Sequence, residues 1–302
     1  MTYNSHQYSL LIGVVAMGAE PWALEDNYLR LEGYVREAAR RRAEVVVAPE
    51  GILEGYVCCA APDTTREKML AVAQEAPGGL YLRRAAALSR ELGIYLLFGF
   101  LEREGEELFN ACALFDPRGE VIARYRKVHP EIESFITPGR ELKPFDTSLG
   151  RVGFLICSDR NTVDNFSTLG VQGVEIVFIP MNGGLGPEHV QTFQQRARDN
   201  CCSIVLANTV SSVIIGPVGE VCLAKFETEC VSLARLYVYH TPRGEQREQF
   251  MGRRPDLYGP LLKNFEEQTW FDEQGRPTPM AEQKRAAWLE ELRRLLGWGA
   301  GD

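Results

Sequence analysis

Three residues with reactive side chains each follow an apolar run of the sequence. Glu50 ends the segment VVVAPE, Lys127 follows VIARYR, and Cys157 ends GRVGFLIC. A carboxylate can take a proton from a thiol, the thiolate can attack a carbonyl carbon, and an ammonium can stabilise the oxyanion that forms. A single cysteine at the end of an apolar strand is usually a core residue, so the prediction of catalysis depends on all three residues together.

The sequences around these residues form a series of motifs in a fixed order. PEG follows one apolar run, RKVH follows a later one, and a Pro-Gly pair precedes FDTSLGRVG, which leads into ICSD. In this order the chain resembles the nitrilase or carbon-nitrogen hydrolase superfamily, from the first strand near Tyr8 to RRPDLYGP at residues 253–260. The resemblance implies a four-layer αββα sandwich (nitrilase-like) and an enzyme with a Glu-Lys-Cys triad.

The chemistry of the three side chains suggests how they would divide the catalytic work. Cys157 is expected to be the nucleophile, and Glu50 the base that takes its proton and returns it to the leaving nitrogen. Lys127 is expected to stabilise the tetrahedral oxyanion together with the backbone N–H of Ser158. Water then hydrolyses the thioester, and no cofactor and no metal are expected.

Further site residues follow from the resemblance. Relatives carry a second glutamate between the lysine and the Pro-Gly pair, and Glu133 is the candidate here, with Glu131 as the alternative. His129 is expected to line or brace the pocket rather than carry protons. Asn182, in IPMNGG, is expected either to bind substrate or to make a turn with the glycines that follow it.

The segment after the nucleophile departs from the family pattern. Relatives commonly continue C-x-D-x-R-F-P-E, whereas this chain reads CSDRNTVDNF. Arg160 and Asn161 stand where the N-carbamoyl-amino-acid amidases carry two arginines that hold the substrate carboxylate. One guanidinium can hold a carboxylate with two hydrogen bonds, so we expect Arg160 to bind substrate. The alternative is a surface ion pair with Asp159 or Asp164.

Two further departures concern specificity. Asn208 is separated from Ser212 by three residues, where relatives carry a longer glycine-rich loop that helps to wall the pocket or the dimer interface. Because of the short loop, the substrate of no particular subfamily is predicted for this chain, and a loss of catalytic activity stays an alternative. Nitrile hydrolysis is disfavoured because that branch usually places a tryptophan directly after the cysteine, where this chain has Ser158.

The elements that position these residues are predicted by hydrophobic periodicity. Direct hairpins are predicted at DPRG (116–119) and GPVG (216–219), so periodicity alone indicates an α/β protein with some antiparallel pairing. Helices are predicted near residues 22–42, 78–92 and 188–200. Strands are predicted near residues 8–16, 44–48, 93–101, 109–115, 121–128, 151–156, 174–180, 203–208, 212–216 and 230–238.

We expect a single domain, residues 1–265, followed by a C-terminal extension, residues 266–302. After a polar GRPTP turn, the segment MAEQKRAAWLEELRRLLGWG has the pattern of an amphipathic helix. This helix is expected to pack on the domain or on a second subunit. Its apolar face would contain Ala287, Leu289, Leu292, Leu295 and Leu296.

The composition limits the class of partner. The chain has 302 residues and a net charge of −8, which disfavours a nucleic-acid or anionic-membrane partner, and no run of about 18 apolar residues predicts a membrane span. Eight cysteines spread through apolar runs favour reduced thiols and a cytoplasmic location. The four histidines and the lack of C-x-x-C spacing predict no metal site. A homodimer or a higher homo-oligomer is expected.

These observations lead to one hypothesis and three alternatives. The chain is expected to be a thiol hydrolase that cleaves a non-peptide C–N bond of a small amide or N-carbamoyl compound. The alternatives are a degenerate, non-catalytic family member, a nitrile hydrolase and a metal-dependent phosphodiesterase, because that chemistry also occurs on αββα sandwiches. The last would need several Asp, Asn and His ligands at strand ends, and too few histidines are suitably placed.

Overall fold

The computed structural model describes residues 7–61, 63–239, 248–262, 272, 278–284 and 286–287. Within these residues the strands form two sheets. The strands are Gln7–Ala16 (β1), Val45–Val47 (β2), Gln74–Glu75 (β3), Tyr95–Glu104 (β4), Glu107–Phe115 (β5), Val121–Arg126 (β6), Phe145–Thr147 (β7), Gly150–Phe154 (β8), Ile176–Pro180 (β9), Ser203–Asn208 (β10), Ser211–Ile215 (β11), Val221–Lys225 (β12) and Cys230–Tyr239 (β13).

Helices flank the two sheets. Short 3-10 turns occur at Cys157–Asn161, Pro187–His189, Pro255–Leu257 and Gly259–Leu262. The α-helices whose bounds are defined are Leu24–Arg40 (α1), Val57–Ala60 (α2), Arg66–Val72 (α3), Leu80–Leu92 (α4), Val163–Val171 (α5), Val190–Asn200 (α6) and Glu248–Met251 (α7).

Both sheets mix parallel and antiparallel pairs. The first has the order β13-β1-β2-β4-β5-β6, with β3 paired to β4, and the second has the order β12-β11-β10-β9-β8-β7. β1, β2 and β4 are parallel neighbours, as are β8, β9 and β10. The strands β5, β6, β7, β11 and β12 join by antiparallel hairpins, and β13 pairs antiparallel with β1 across the length of the chain. Because the central strands of each sheet are parallel, β2 and β8 both end at the edge of the sheet formed by the carboxyl ends of these strands. Glu50 follows β2 there, and Cys157 follows β8.

The protein has four layers, as the sequence predicted. One core lies between the sheets and includes Val47 of β2 and Phe154 of β8. A second core lies between the first sheet and helices α1 and α4, and a third between the second sheet and helices α5 and α6. Helix α1 is amphipathic, and its buried Leu31 and Val35 are four positions apart, so one face of the helix is covered by the sheet.

The predicted strands and the three predicted helices are confirmed, with shifts of a few residues at their ends. The periodicity did not predict the short strands β3, β7 and β12 or the helices α2, α3, α5 and α7. Helix α5 has the sequence VDNFSTLGV, which is poor in strong helix formers. It is stabilised by tertiary packing instead, because Phe166 and Leu169 are buried in the core beneath it.

The C-terminal extension lies mostly outside the described residues. Residues 279–284 are helical, at the start of the predicted amphipathic helix, and Ala281 is buried. Ala287, which the pattern assigned to the apolar face, is exposed. The expectations for Leu289, Leu292, Leu295 and Leu296 lie outside the described residues, and the domain boundary at residue 265 stays a prediction.

Candidate active site

Four side chains that the sequence singled out meet where the two sheets end. Glu50 follows β2, Lys127 follows β6, Glu133 lies in the loop after it, and Cys157 begins the 3-10 turn after β8. Glu50 and Lys127 are each 1% exposed and Glu133 is 2% exposed, whereas Cys157 is half-buried. The charged groups therefore lie deeper in the protein than Cys157 does.

Lys127 joins the two carboxylates. Its Nζ lies 2.8 Å from Glu50 Oε1 and also donates to Glu133 Oε1. Burial lowers the pKa of Lys127, but the negative charges of Glu133 and Glu50 outweigh it and keep the pKa well above the ordinary value. An ammonium has three protons, and two of them are used here, so one remains to be directed at a substrate.

Glu133 is held by a tyrosine and an asparagine as well as by the lysine. Tyr56 donates its hydroxyl to Glu133 Oε1 at 2.9 Å, and Asn110 donates Nδ2 to the same oxygen at 3.0 Å. Burial raises the pKa of Glu133 to about 7; Lys127 opposes this rise, and Glu50 adds to it. Among the described residues, Glu133 Oε2 is buried and accepts no hydrogen bond.

A close approach of two backbones places Glu50. A Cβ at Gly99 on β4 would lie 2.5 Å from the carbonyl oxygen of Pro49, so only glycine lets this loop pass the strand. Glu50 Oε1 accepts Asn110 Nδ2 at 2.7 Å, and Oε2 accepts the backbone N–H of Asn182 at 2.9 Å. The carboxylate is thus fixed from both sides.

Cys157 lies in an uncommon backbone conformation, with φ at 48°. Strained residues of this kind cluster at active sites because the surrounding structure holds them. Its Sγ donates to the carbonyl of Asn182 at 3.5 Å. Burial raises the pKa of the thiol to about 12 and Glu50 adds to the rise, while Lys127 and Arg160 oppose it. The resting group is therefore a thiol, and attack on a carbonyl needs a base.

Asp159, two residues after the nucleophile, connects two loops. It is fully buried, and its Oδ1 accepts the backbone N–H of His129 at 2.8 Å. Its Oδ2 accepts the backbone N–H of Ile156 at 2.9 Å and the hydroxyl of Tyr125 at 2.7 Å. The turn that carries Cys157 is thereby attached to the segment after Lys127.

The remaining predicted residues surround this cluster. Ser158 Oγ donates to the carbonyl of His129 at 2.7 Å, so both residues take part in the same loop contact. Asn182 meets the site through its backbone rather than its side chain. Glu131 is half-buried and burial raises its pKa, yet among the described residues no hydrogen bond joins it to Lys127, which Glu133 contacts instead.

Arg160 lies against Cys157. Its Nη1 donates to the carbonyl oxygen of Cys157 at 2.8 Å and is 3.9 Å from the sulfur. In the described part of the chain it forms no ion pair with Asp159 or Asp164, so the surface pairing considered from the sequence does not occur. The guanidinium thus borders the thiol, and its Nε and Nη2 carry no hydrogen bond to a described residue.

The short connection after Asn208 is a two-residue hairpin between β10 and β11. Asn208 pairs with Ser211, and its Nδ2 donates to the hydroxyl of that serine at 3.1 Å. The same nitrogen donates to the carbonyl of Gly183 at 2.9 Å, in the loop that follows Asn182. The hairpin therefore stabilises the loop whose Asn182 backbone contacts Glu50.

Sequence reasoning missed two residues of the site, Tyr56 and Asn110. Asn110 is a single polar residue within the apolar run LFNACALF, and such a residue in a buried strand needs a polar partner. This signal could have identified it. Tyr56 lies in the left-handed region, with φ at 53°, and nothing in the local sequence indicates its contact with Glu133.

A cavity of about 490 Å³ opens beside β6. Arg126, Arg140 and Phe145 line it, whereas the catalytic candidates do not. In the part of the chain that the structure describes, no group of three or more His, Cys, Asp or Glu side chains is arranged to hold a metal ion. Nor does any helix within the described ranges have the length and apolar character to span a membrane.

Comparisons with known proteins agree with the fold. The family model for carbon-nitrogen hydrolases matches residues 11–237. A nitrilase of Pyrococcus abyssi is 28% identical over 264 residues, 82% of this chain and 98% of the relative. The omega-amidase of Homo sapiens is 29% identical over 267 residues, 79% of this chain and 93% of the relative. A solved carbon-nitrogen hydrolase from Helicobacter pylori has a TM-score of 0.72 at 19% identity and covers 85% of this chain and 99% of its own.

The chain belongs to the carbon-nitrogen hydrolase family and is a hydrolase that acts on carbon–nitrogen bonds. The family model spans every strand from β2 to β12, together with the loops that carry Glu50, Lys127 and Cys157. The sequence prediction of the family, the fold and the type of enzyme is confirmed.

Proposed function

We propose that the chain is an amidase that cleaves a small amide or N-carbamoyl compound through a thioester on Cys157. The observation that carries this proposal is the position of the Asn182 backbone. Its N–H donates to Glu50 at 2.9 Å, and its carbonyl accepts from Cys157 at 3.5 Å. The backbone of one residue thus contacts both the proposed base and the proposed nucleophile.

The proposed reaction begins with proton transfer. Cys157 is a thiol at neutral pH because its pKa is raised to about 12, so Glu50 takes the proton as the sulfur attacks the carbonyl carbon. Hydrogen bonds of this kind often become aligned only when substrate is bound. Lys127 donates a hydrogen bond from its third N–H to the oxyanion, and the backbone N–H of Ser158 donates a second one.

The second half of the reaction uses the same residues. Glu50 returns the proton to the leaving nitrogen, and ammonia or an amine departs as the thioester forms on Cys157. Water then attacks the thioester with Glu50 again as base, and it releases the thiol and a carboxylic acid, or CO2 from an N-carbamoyl group. Glu133 keeps the ammonium of Lys127 in place throughout.

A mass spectrum of the intact protein tests the proposal. The chain is incubated with a panel of small amides, ureides and nitriles, and an added acyl mass that maps to Cys157 is the expected result. The panel also identifies the acyl group. If no compound forms an adduct and iodoacetamide leaves Cys157 unmodified at neutral pH, the degenerate alternative is correct and the proposal is wrong.

We also propose that the enzyme works in the cytoplasm as a homodimer or larger homo-oligomer. All eight cysteines fall within the described residues, and no disulfide joins any of them there, which suits a reducing compartment. Sedimentation velocity of the purified chain measures the assembly, and a monomer at micromolar concentration would contradict this part of the proposal.

A further inference from the structure

Asn110 bridges the two carboxylates that Lys127 also bridges. Its Nδ2 lies 2.7 Å from Glu50 Oε1 and 3.0 Å from Glu133 Oε1. An amide nitrogen has two protons, and each one is directed at a different carboxylate. The two Oε1 atoms thus share the same two donors, one charged and one neutral.

We propose that Asn110 is a positioning residue that holds the two carboxylates close together, so that Lys127 directs its third proton at the substrate. Two buried carboxylates repel each other, and one ammonium has to offset both charges. The amide adds a hydrogen bond to each without adding charge. This inference rests on the proposed amidase mechanism and assigns to it a residue that does not touch the substrate.

The strand geometry explains why this position can serve both carboxylates. Asn110 lies on β5 beside β6, and its carbonyl accepts the backbone N–H of Lys127 at 2.8 Å. The side chain is 4% exposed, so water cannot replace its hydrogen bonds without a rearrangement of the site. Loss of the amide leaves two acceptors undersatisfied in the same buried space.

The expected consequence is a change in the pH dependence of Cys157. A hydrogen bond donated to a carboxylate favours its ionised form, so Asn110→Ala makes Glu133, whose pKa burial already raises to about 7, harder to ionise. The rate of Cys157 alkylation by iodoacetamide is expected to fall as the pH is lowered, and this fall is called the acid limb. In Asn110→Ala the acid limb then moves to higher pH by about one unit, a tenfold change in proton affinity. Asn110→Asp keeps the shape but adds a third negative charge, and it should move the limb further.

Turnover supplies a second readout once a substrate is known. In Asn110→Ala, kcat should fall by about tenfold and KM should change by less than about twofold, since the residue acts through Lys127 and Glu50 rather than on the substrate. Asn200→Ala is the matched control. Asn200 is buried and donates Nδ2 to the carbonyl of Arg196 at 2.9 Å, away from the site, so its loss should lower stability and leave the acid limb unchanged.

The outcomes separate this inference from the proposed function. Alkylation needs no substrate, so shifted limbs in Asn110→Ala and Asn110→Asp support the inference even if every amide in the panel fails. Limbs that coincide with the wild type in both variants overturn it, even if the wild type is an active amidase. If the alanine variant does not fold, the aspartate variant, which is nearly the same shape, decides alone.

Discussion

Asp159 accepts the backbone N–H of His129 at 2.8 Å, which ties the turn after the nucleophile to the loop after the lysine. Because the two residues follow strands of different sheets, this hydrogen bond also fixes one sheet relative to the other at the active site. The buried carboxylate accepts from backbone N–H groups on both sides, so its charge is well compensated.

Asp159→Asn should lower both stability and alkylation of Cys157. An amide in this place presents an NH2 group to backbone N–H donors, which leaves buried donors without acceptors, at a cost of about 2 to 4 kcal/mol. Urea unfolding measures the loss. Tyr125→Phe, which removes one hydrogen bond from the same carboxylate, should cost about 1 kcal/mol. An unchanged unfolding midpoint in the asparagine variant would contradict this account.

Cys157→Ser should abolish turnover while leaving the fold intact, because the change is small in volume and a serine hydroxyl is a poor nucleophile here. The measurement is the rate of ammonia release together with thermal unfolding. Cys222→Ser is the control, since Cys222 is a half-buried cysteine on β12, remote from Glu50 and Lys127. Wild-type turnover in Cys157→Ser would refute the thioester mechanism.

Lys127→Met should reduce kcat/KM by an amount equivalent to about 3 to 4 kcal/mol, the scale for loss of an oxyanion donor. The variant also leaves Glu50 and Glu133 without their cation, so its stability should fall as well. Lys127→Arg should not restore activity, because a planar guanidinium does not fit the place of a compact ammonium. Lys143→Met, at an exposed lysine paired with Glu141, should behave like the wild type. A fully active Lys127→Arg variant would contradict the proposed role of Lys127 as an oxyanion donor.

Arg160→Ala should lower activity on carboxylate-bearing substrates, such as N-carbamoyl amino acids, by about 1.5 to 3 kcal/mol more than activity on neutral amides. The guanidinium lies 3.9 Å from the sulfur, and its Nε and Nη2 carry no bond to a described residue, so it can meet a substrate carboxylate. Parallel kcat/KM measurements on the two substrate types decide the point. Equal losses would mean that Arg160 only braces the carbonyl of Cys157.

Glu54 should make the protein less stable as the pH rises from about 4.5 to about 7. Burial raises the pKa of this carboxyl from 4.5 to about 7, so in that range the folded chain keeps a proton that the unfolded chain has lost. The shift corresponds to about 3 kcal/mol lost by pH 7. Glu54→Gln, which can still accept the N–H of Leu101, should flatten the dependence in urea unfolding at several pH values. An equal slope in both proteins would exclude Glu54 as its source.

The sequence by itself determined the elements and the reactive residues. Apolar runs predicted the main strands, because a strand that is buried on both faces consists almost entirely of hydrophobic residues. Motifs predicted Glu50, Lys127 and Cys157 as the reactive set, and the family resemblance suggested Glu133, with Glu131 as the alternative. The sequence did not predict helix α5, because this helix is stabilised by the burial of Phe166 and Leu169 in the core and not by the helix propensity of its residues.

Only the tertiary structure decided which groups meet these residues. Asn110 is 60 positions from Glu50, and Asn182 is 132 positions from it, so no local pattern records either contact. Asn182 contributes its backbone, which any residue could supply, and side-chain types therefore carry no information about that contact. Glu133, rather than Glu131, contacts Lys127 because the fold of the loop, which packs against Tyr56 and helix α2, buries one carboxylate and leaves the other half-buried.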